Sequence, residues 1–193
     1  MAKASAAPAT IAIVCGLGNP DADYEHTRHN AGFATVDVLA ARHGVRYWKS
    51  EAGAQVASLA WRGADGEQRE VLLAKPMSYM NTSGGPLSKL ARAHRVAPQQ
   101  ILVVHDEVDL AAGEVRLKLG GGLNAHNGLR SIADKLGSRD FARVQFGIGR
   151  PPGKMQVADY VLRELKGGFL DEFNITAERA ADLVERILTE GAK

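Results

Sequence analysis

Three observations predict an α/β fold in one domain, a twisted, mixed, mostly parallel sheet flanked by helices. Short β-branched runs recur along the chain, helical apolar stripes lie between them, and one pair of runs is close enough to form a hairpin. The alternation gives the parallel strands, and the hairpin makes the sheet mixed. The 193 residues fit one domain of ~100–200 residues. Residues 1–9 are small, polar and Ala/Pro-rich and read as a disordered tail. Residues 10–193 read as one domain, with no internal repeat or linker.

The elements follow in order. Ile11–Cys15 is a β-branched run that ends in Gly16-Leu17-Gly18-Asn19-Pro20, a buried strand entering a loop. Phe33, Val36, Leu39 and Ala40 have helical spacing within residues 32–43, and Gly44 suits the end of that helix. Val56–Trp61 and Val71–Ala74 flank Ala64-Asp65-Gly66 and predict the hairpin, with Lys75-Pro76 breaking its second strand. Leu87, Leu90 and Ala91 predict a short helix entered near Ser83. Ile101–Val104 is another buried strand, pointing into His105-Asp106-Glu107-Val108-Asp109. Val115–Leu119 alternates apolar and basic residues, a strand with one cationic face. A glycine-dense loop, residues 120–128, leads to a helix striped by Leu129, Ile132, Ala133 and Leu136, with Asn127 as its cap. Val144–Ile148 is a strand, and Thr176–Leu188 is a closing amphipathic helix.

Composition narrows the function classes. One cysteine excludes a disulfide framework and a Cys-based zinc cluster. Cys15 lies inside an apolar strand and reads as packing rather than a nucleophile. No signal-peptide core or run of ~18 apolar residues is present, so the expected setting is cytoplasmic, without a membrane partner. The net charge is +2, but it is uneven. Residues 113–154 carry 8 basic against 3 acidic residues, and residues 155–193 carry 5 against 8. A +5 segment that holds a cationic strand face and a glycine loop suggests a phosphate-rich ligand.

The motifs point the same way. The first loop has Asp21 where a dinucleotide fingerprint needs its third glycine, and no Walker A or Gly-x-Ser-x-Gly sequence occurs. With no nucleophile on offer, a hydrolase here would activate water. His29 is the candidate base and Asp106 its partner, both expected at one edge of the sheet. Asn19 leaves the first strand at that same edge. The rival is a metal site built from the 105–109 cluster with His26 and His29, although the spacing matches no strong metal signature.

Taken in order, Gly16-Leu-Gly-Asn-Pro, Tyr24, Thr27-Arg-His-Asn-Ala-Gly32, Lys75-Pro76, Met80-Asn81-x-Ser-Gly84, His105-Asp-Glu-x-Asp-Leu110, Lys118-Leu-Gly-Gly-Gly122, His126-Asn-Gly-Leu129 and Gly147-Ile-Gly-Arg-Pro151 resemble bacterial peptidyl-tRNA hydrolases from about Ile11 to Leu162. The resemblance implies hydrolysis of the ester between a peptide and tRNA, by a monomer without metal or organic cofactor. It also implies the family's fold. By the same resemblance His29 is the base, and Asp106 orients it. Asn19 reads the peptide backbone, and Asn81 and Asn127 position substrate and stabilise the oxyanion. Tyr24, Tyr79 and Met80 line the cleft. Lys118 contacts the tRNA 5′-phosphate, beside the acceptor stem and 3′ end.

The departures are specific. Gln145 stands where the family usually has the arginine that completes the phosphate clamp. Arg143, two residues earlier on that strand face, is the expected substitute. Asn124-Ala125 stands where the family usually has glycines, and Asp21 replaces a usual glycine. A non-catalytic RNA-binding paralogue is the alternative that the altered clamp motivates.

Overall fold

The computed structural model describes residues 9–193, so the expectation for the N-terminal tail lies, but for Ala9, outside the described residues. The first apolar run forms β1 (Ile13–Gly16), and all four of its residues are buried. After it come α1 (Ala31–Arg42), β2 (Lys49–Glu51), β3 (Ala54–Arg62), β4 (Gln68–Pro76), α2 (Gly84–Ala93), β5 (Ile101–Glu107) and β6 (Val115–Leu119). The chain ends with α3 (Asn127–Leu136), β7 (Ala142–Gly147), α4 (Val157–Leu162) and α5 (Gly168–Glu190). The seven strands make one sheet in the order β2-β3-β4-β1-β5-β7-β6. Pairing is parallel among the central strands β4, β1, β5 and β7 and antiparallel at both margins.

Both faces of the centre are covered, which is why β1 and β5 read as unbroken apolar runs. Val14, Leu102 and Val104 face α1 and α5, against Val36, Leu39, Ala180 and Val184. Ile13, Cys15, Ile101 and Val103 face α2 and α3, against Leu87, Leu90, Leu129 and Ile132. Each fully buried side chain of this size contributes roughly 1.5–3 kcal/mol.

Two glycines set the distance between α1 and the sheet. A Cβ on Gly32 would lie 2.1 Å from the Leu17 nitrogen and 2.3 Å from the Val104 oxygen, and one on Gly16 would lie 2.2 Å from the Gly32 oxygen. Only hydrogen fits there. The start of α1 therefore rests directly on the ends of β1 and β5, and the turn before it is carried over β5.

Several elements differ from expectation. The hairpin strands are longer than their apolar runs, and β4 includes Lys75 and Pro76 as its last residues, where a missing N–H is tolerated. The edge strand β2 is Lys-Ser-Glu and has no apolar signal. The six-residue α4 also went unread. The closing helix begins at Gly168, eight residues before Thr176. The cap of α3 is His126 rather than Asn127, which is the first helical residue.

Candidate active site

The carboxyl ends of the parallel strands converge where an open α/β sheet accommodates ligands. A single turn of 3-10 helix, Arg28–Asn30, leads into α1 and carries His29. That turn is tied to the β1 exit loop by a reciprocal pair. The Asn19 N–H donates to Asn30 Oδ1 at 2.9 Å, and Asn30 Nδ2 donates to the Asn19 carbonyl at 3.0 Å. Asn19 Oδ1 accepts from the Met80 N–H at 2.8 Å. The Asn19 Nδ2 group has no hydrogen-bond partner among the described residues.

Asp106, near the end of β5, is almost wholly buried. Its two oxygens lie 3.1 and 3.0 Å from His29 Nδ1, and Oδ1 lies 2.9 Å from His126 Nε2. His126 Nδ1 faces the N–H groups of Gly128 and Leu129 at 3.1 and 3.4 Å, so it must accept. The ring proton of His126 is therefore on Nε2, donated to Asp106. The carboxylate takes both imidazoles, one held by a helix start and one free to exchange its far proton.

The electrostatics follow from this arrangement. Burial pushes the Asp106 carboxyl up, but facing His29 and His126 outweighs it and holds the group well below the usual carboxylate range. Burial lowers the His29 pKa, yet the Asp106 charge and hydrogen bond dominate and the net direction is upward. His105 is fully buried, and burial with the neighbouring His126 pushes it down to about 3, against the pull of Asp106. Its Nδ1–H donates to the Asp106 carbonyl at 2.8 Å. His105 therefore stays neutral near pH 7 and braces the backbone that carries Asp106.

A cavity of about 750 Å³ opens over this cluster. His29, Asp106, His126 and Asn127 line one side of it, and Val157, Val161 and Leu162 of α4 line the other. Asn19 lines a separate cleft of about 590 Å³ with Pro20, Asp21 and Phe33. Asn81 is exposed in the turn Met80–Thr82. Tyr24 is half-buried, and Tyr79 is exposed with its hydroxyl 3.2 Å from Asp21 Oδ2. The Met80 side chain is buried in the core, so Met80 serves the cleft through its backbone N–H to Asn19. Lys118 is half-buried on β6, directly opposite Arg143 in register.

Two expectations are corrected. Arg143 is not a free cation that replaces one missing at Gln145. It is 1% exposed and donates to the carbonyls of Gly120 and Gly122, the second at 2.8 Å from Gly122. The 105–109 cluster with His26 does not gather as metal ligands either. Among the described residues, the one grouping with ligand atoms close enough is His29, Asp106 and His126. In that grouping His126 already turns an N–H toward the carboxylate, so three lone pairs do not converge.

Comparison with known proteins decides the family. A family model described as Peptidyl-tRNA hydrolase matches residues 13–193. The chain belongs to the peptidyl-tRNA hydrolase family. It is 48% identical over 179 residues to the peptidyl-tRNA hydrolase of Frankia alni, covering 93% of this chain and 88% of that one. It is 49% identical over 180 residues to that of Streptomyces coelicolor, covering 93% and 90%. The crystal structure of peptidyl-tRNA hydrolase from Acinetobacter baumannii superposes with a TM-score of 0.83 at 34% identity, over 94% of this chain and 89% of that chain. Within the described residues, no helix is long and apolar enough to cross a membrane.

His126 is the residue that sequence reasoning missed. It was legible only as part of a motif, because asparagine is the commoner helix cap and a histidine in a glycine loop has no distinctive spacing. Asn30 was missed for the same reason. Its side chain acts on the backbone of a residue 11 positions away.

Proposed function

We propose that the protein hydrolyses the ester joining a peptide, or an N-blocked amino acid, to the 3′-terminal ribose of tRNA, and so recycles tRNA from prematurely released peptidyl-tRNA. The observation that carries this reading is His29 Nδ1, held by both oxygens of a buried carboxylate at 3.0 and 3.1 Å. That contact leaves Nε2, on the far side of the ring, for the cavity.

In the proposed reaction His29 Nε2 takes a proton as water attacks the ester carbonyl. The imidazolium that forms is stabilised by Asp106. The tetrahedral oxyanion is met by the amide donors of Asn127 and Asn81, which carry no charge of their own. The ribose oxygen then leaves with the proton returned from His29. No covalent enzyme intermediate and no metal is required, because an ester carbonyl is more readily attacked by water than an amide and the departing ribose oxygen receives its proton from His29. Asn19 donates from Nδ2 to the peptide backbone near the scissile bond. Tyr24 and Tyr79 flank the peptide. Lys118 meets the 5′-phosphate at the end of the acceptor stem. The enzyme acts as a cytoplasmic monomer.

The test is release of N-acetyl-amino acid from N-acetyl-aminoacyl-tRNA by wild type and His29→Ala. Wild type should turn over, and the variant should lose at least ~10³-fold in kcat. A wild type that binds tRNA but releases nothing would replace this reading with a binding protein on the same fold.

A further inference from the structure

The glycine loop ahead of α3 is fastened from beneath by polar groups that the proposed reaction does not use. Glu107 ends β5 one residue after Asp106 and is 4% exposed. Its Oε1 accepts from the Asp109 N–H at 2.9 Å. Its Oε2 accepts from Asn124 Nδ2 at 2.8 Å and from Gln145 Nε2 at 3.1 Å. One buried carboxylate oxygen thus joins β7 to the loop with two neutral amides. A buried carboxylate is costly unless its lone pairs are filled, so these two amides are complementary rather than incidental. Arg143, two residues before Gln145 on the same face of β7, grips the loop again through the carbonyls of Gly120 and Gly122.

The loop needs holding. Asn124 and Ala125 have φ of +48° and +59°, a left-handed pair in which neither residue is glycine. Such a conformation persists only where surrounding contacts fix it. Asparagine tolerates it, and here the same asparagine supplies the contact. Immediately after this pair come His126, which donates to Asp106, and Asn127, which lines the cavity. The His126 N–H closes the loop onto the Leu123 carbonyl at 3.0 Å, and Leu123 is itself buried in the core.

We propose that Gln145 and Asn124 are positioning residues: by donating to one oxygen of the buried Glu107 carboxylate, they hold residues 120–125 so that His126 stays on Asp106 and Asn127 faces the cavity. This deepens the hydrolase reading above and rests on it. Gln145 on this account belongs to the catalytic loop rather than to a phosphate contact. It is 8% exposed, and its Nε2 donates to Glu107. The two residues act in series, since Gln145 fixes Glu107 and Glu107 fixes Asn124.

The experiment uses Asn124→Gly, Gln145→Ala and their double variant. Glycine accepts the left-handed backbone without strain, so Asn124→Gly removes the side-chain contact without adding strain. Each single variant should lower kcat on N-acetyl-aminoacyl-tRNA about tenfold, with KM within about twofold, as expected when a reacting group loses its placement. The double variant should fall no further than the worse single one. Amide exchange at His126 should quicken about tenfold in all three. Single-variant effects that multiply in the double variant, or an unchanged kcat with unchanged His126 exchange in Asn124→Gly, would overturn the proposal. A wild type without hydrolysis would defeat the hydrolase reading, while His126 exchange would still decide whether the loop is held this way.

Discussion

Replacing His126 separates two roles that one side chain performs. His126→Ala removes the Nε2–H donor to Asp106 at 2.9 Å and the Nδ1 acceptor for the Gly128 and Leu129 N–H groups. The first is a hydrogen bond to a buried carboxylate, worth about 1.5–3 kcal/mol. The second is a helix cap, worth about 1 kcal/mol. Loss of the cap should lower Tm by about 2–4 °C in a domain of this size. Loss of the donor should lower kcat about 10- to 30-fold, because Asp106 no longer presents both oxygens to His29. The pH profile carries the discriminating sign. With one donor gone, the Asp106 charge is less shared, His29 holds its proton more tightly, and the acid limb of kcat/KM moves to higher pH. His126→Asn is the control, since asparagine caps a helix but is too short to reach Asp106. It should recover the cap's share of Tm, about 2–4 °C, and leave the limb displaced. An acid limb that overlays the wild type in His126→Ala, or is restored in His126→Asn, would refute the reasoning.

Other outcomes follow from the same geometry. Asp106→Asn should destabilise the protein most between about pH 4 and 6.5 by thermal melts. The depressed Asp106 pKa contributes above the unfolded value of ~3.9, and the raised His29 pKa contributes below ~6.5 and fades as pH rises through its folded value. Gly32→Ala should lower Tm by about 5–10 °C and reduce activity with it, because its Cβ would stand 2.1 Å from the Leu17 nitrogen. Lys118→Ala should weaken tRNA binding for all sequences and reduce the slope of log affinity against log salt by about one, measured by filter binding.

The centre of this fold was legible because burial on both faces leaves a plain trace. Ile11–Cys15 and Ile101–Val104 could be little else, and the polar residues that follow each run put His29 and Asp106 at one edge. The margins were not legible. The edge strand Lys49–Glu51 pairs through its backbone with β3, and nothing in Lys-Ser-Glu reports that. The helix α4 turns only Tyr160 and Val161 inward and leaves Val157 and Leu162 to the cavity, so it shows no stripe. The site divides in the same way. The His29–Asp106 pair could be inferred from two strand ends. The hold on that pair could not, because His126, Glu107, Asn124 and Gln145 meet across separations of 17 to 38 residues.

The basic segment shows why a charge count is a weak guide to a nucleic-acid surface. Its eight cations do not face one way. Arg143 points inward, where carbonyl oxygens of the glycine loop replace the water it lost. Arg150 pairs with Asp109, and Arg116 lies 3.3 Å from Glu114, both at exposed positions where an ion pair adds little. With Arg143 buried and Arg150 paired to Asp109 from outside the segment, the charge presented outward is smaller than +5. On the proposed loop role, what the segment gives up in field it would return as loop structure, because a fixed Asn127 would lower the reorganisation needed when charge develops on the ester oxygen. On the proposed reaction, discrimination between esters would rest on where Asn19, Asn81 and Asn127 stand, and affinity for the tRNA body on the cations that remain outside.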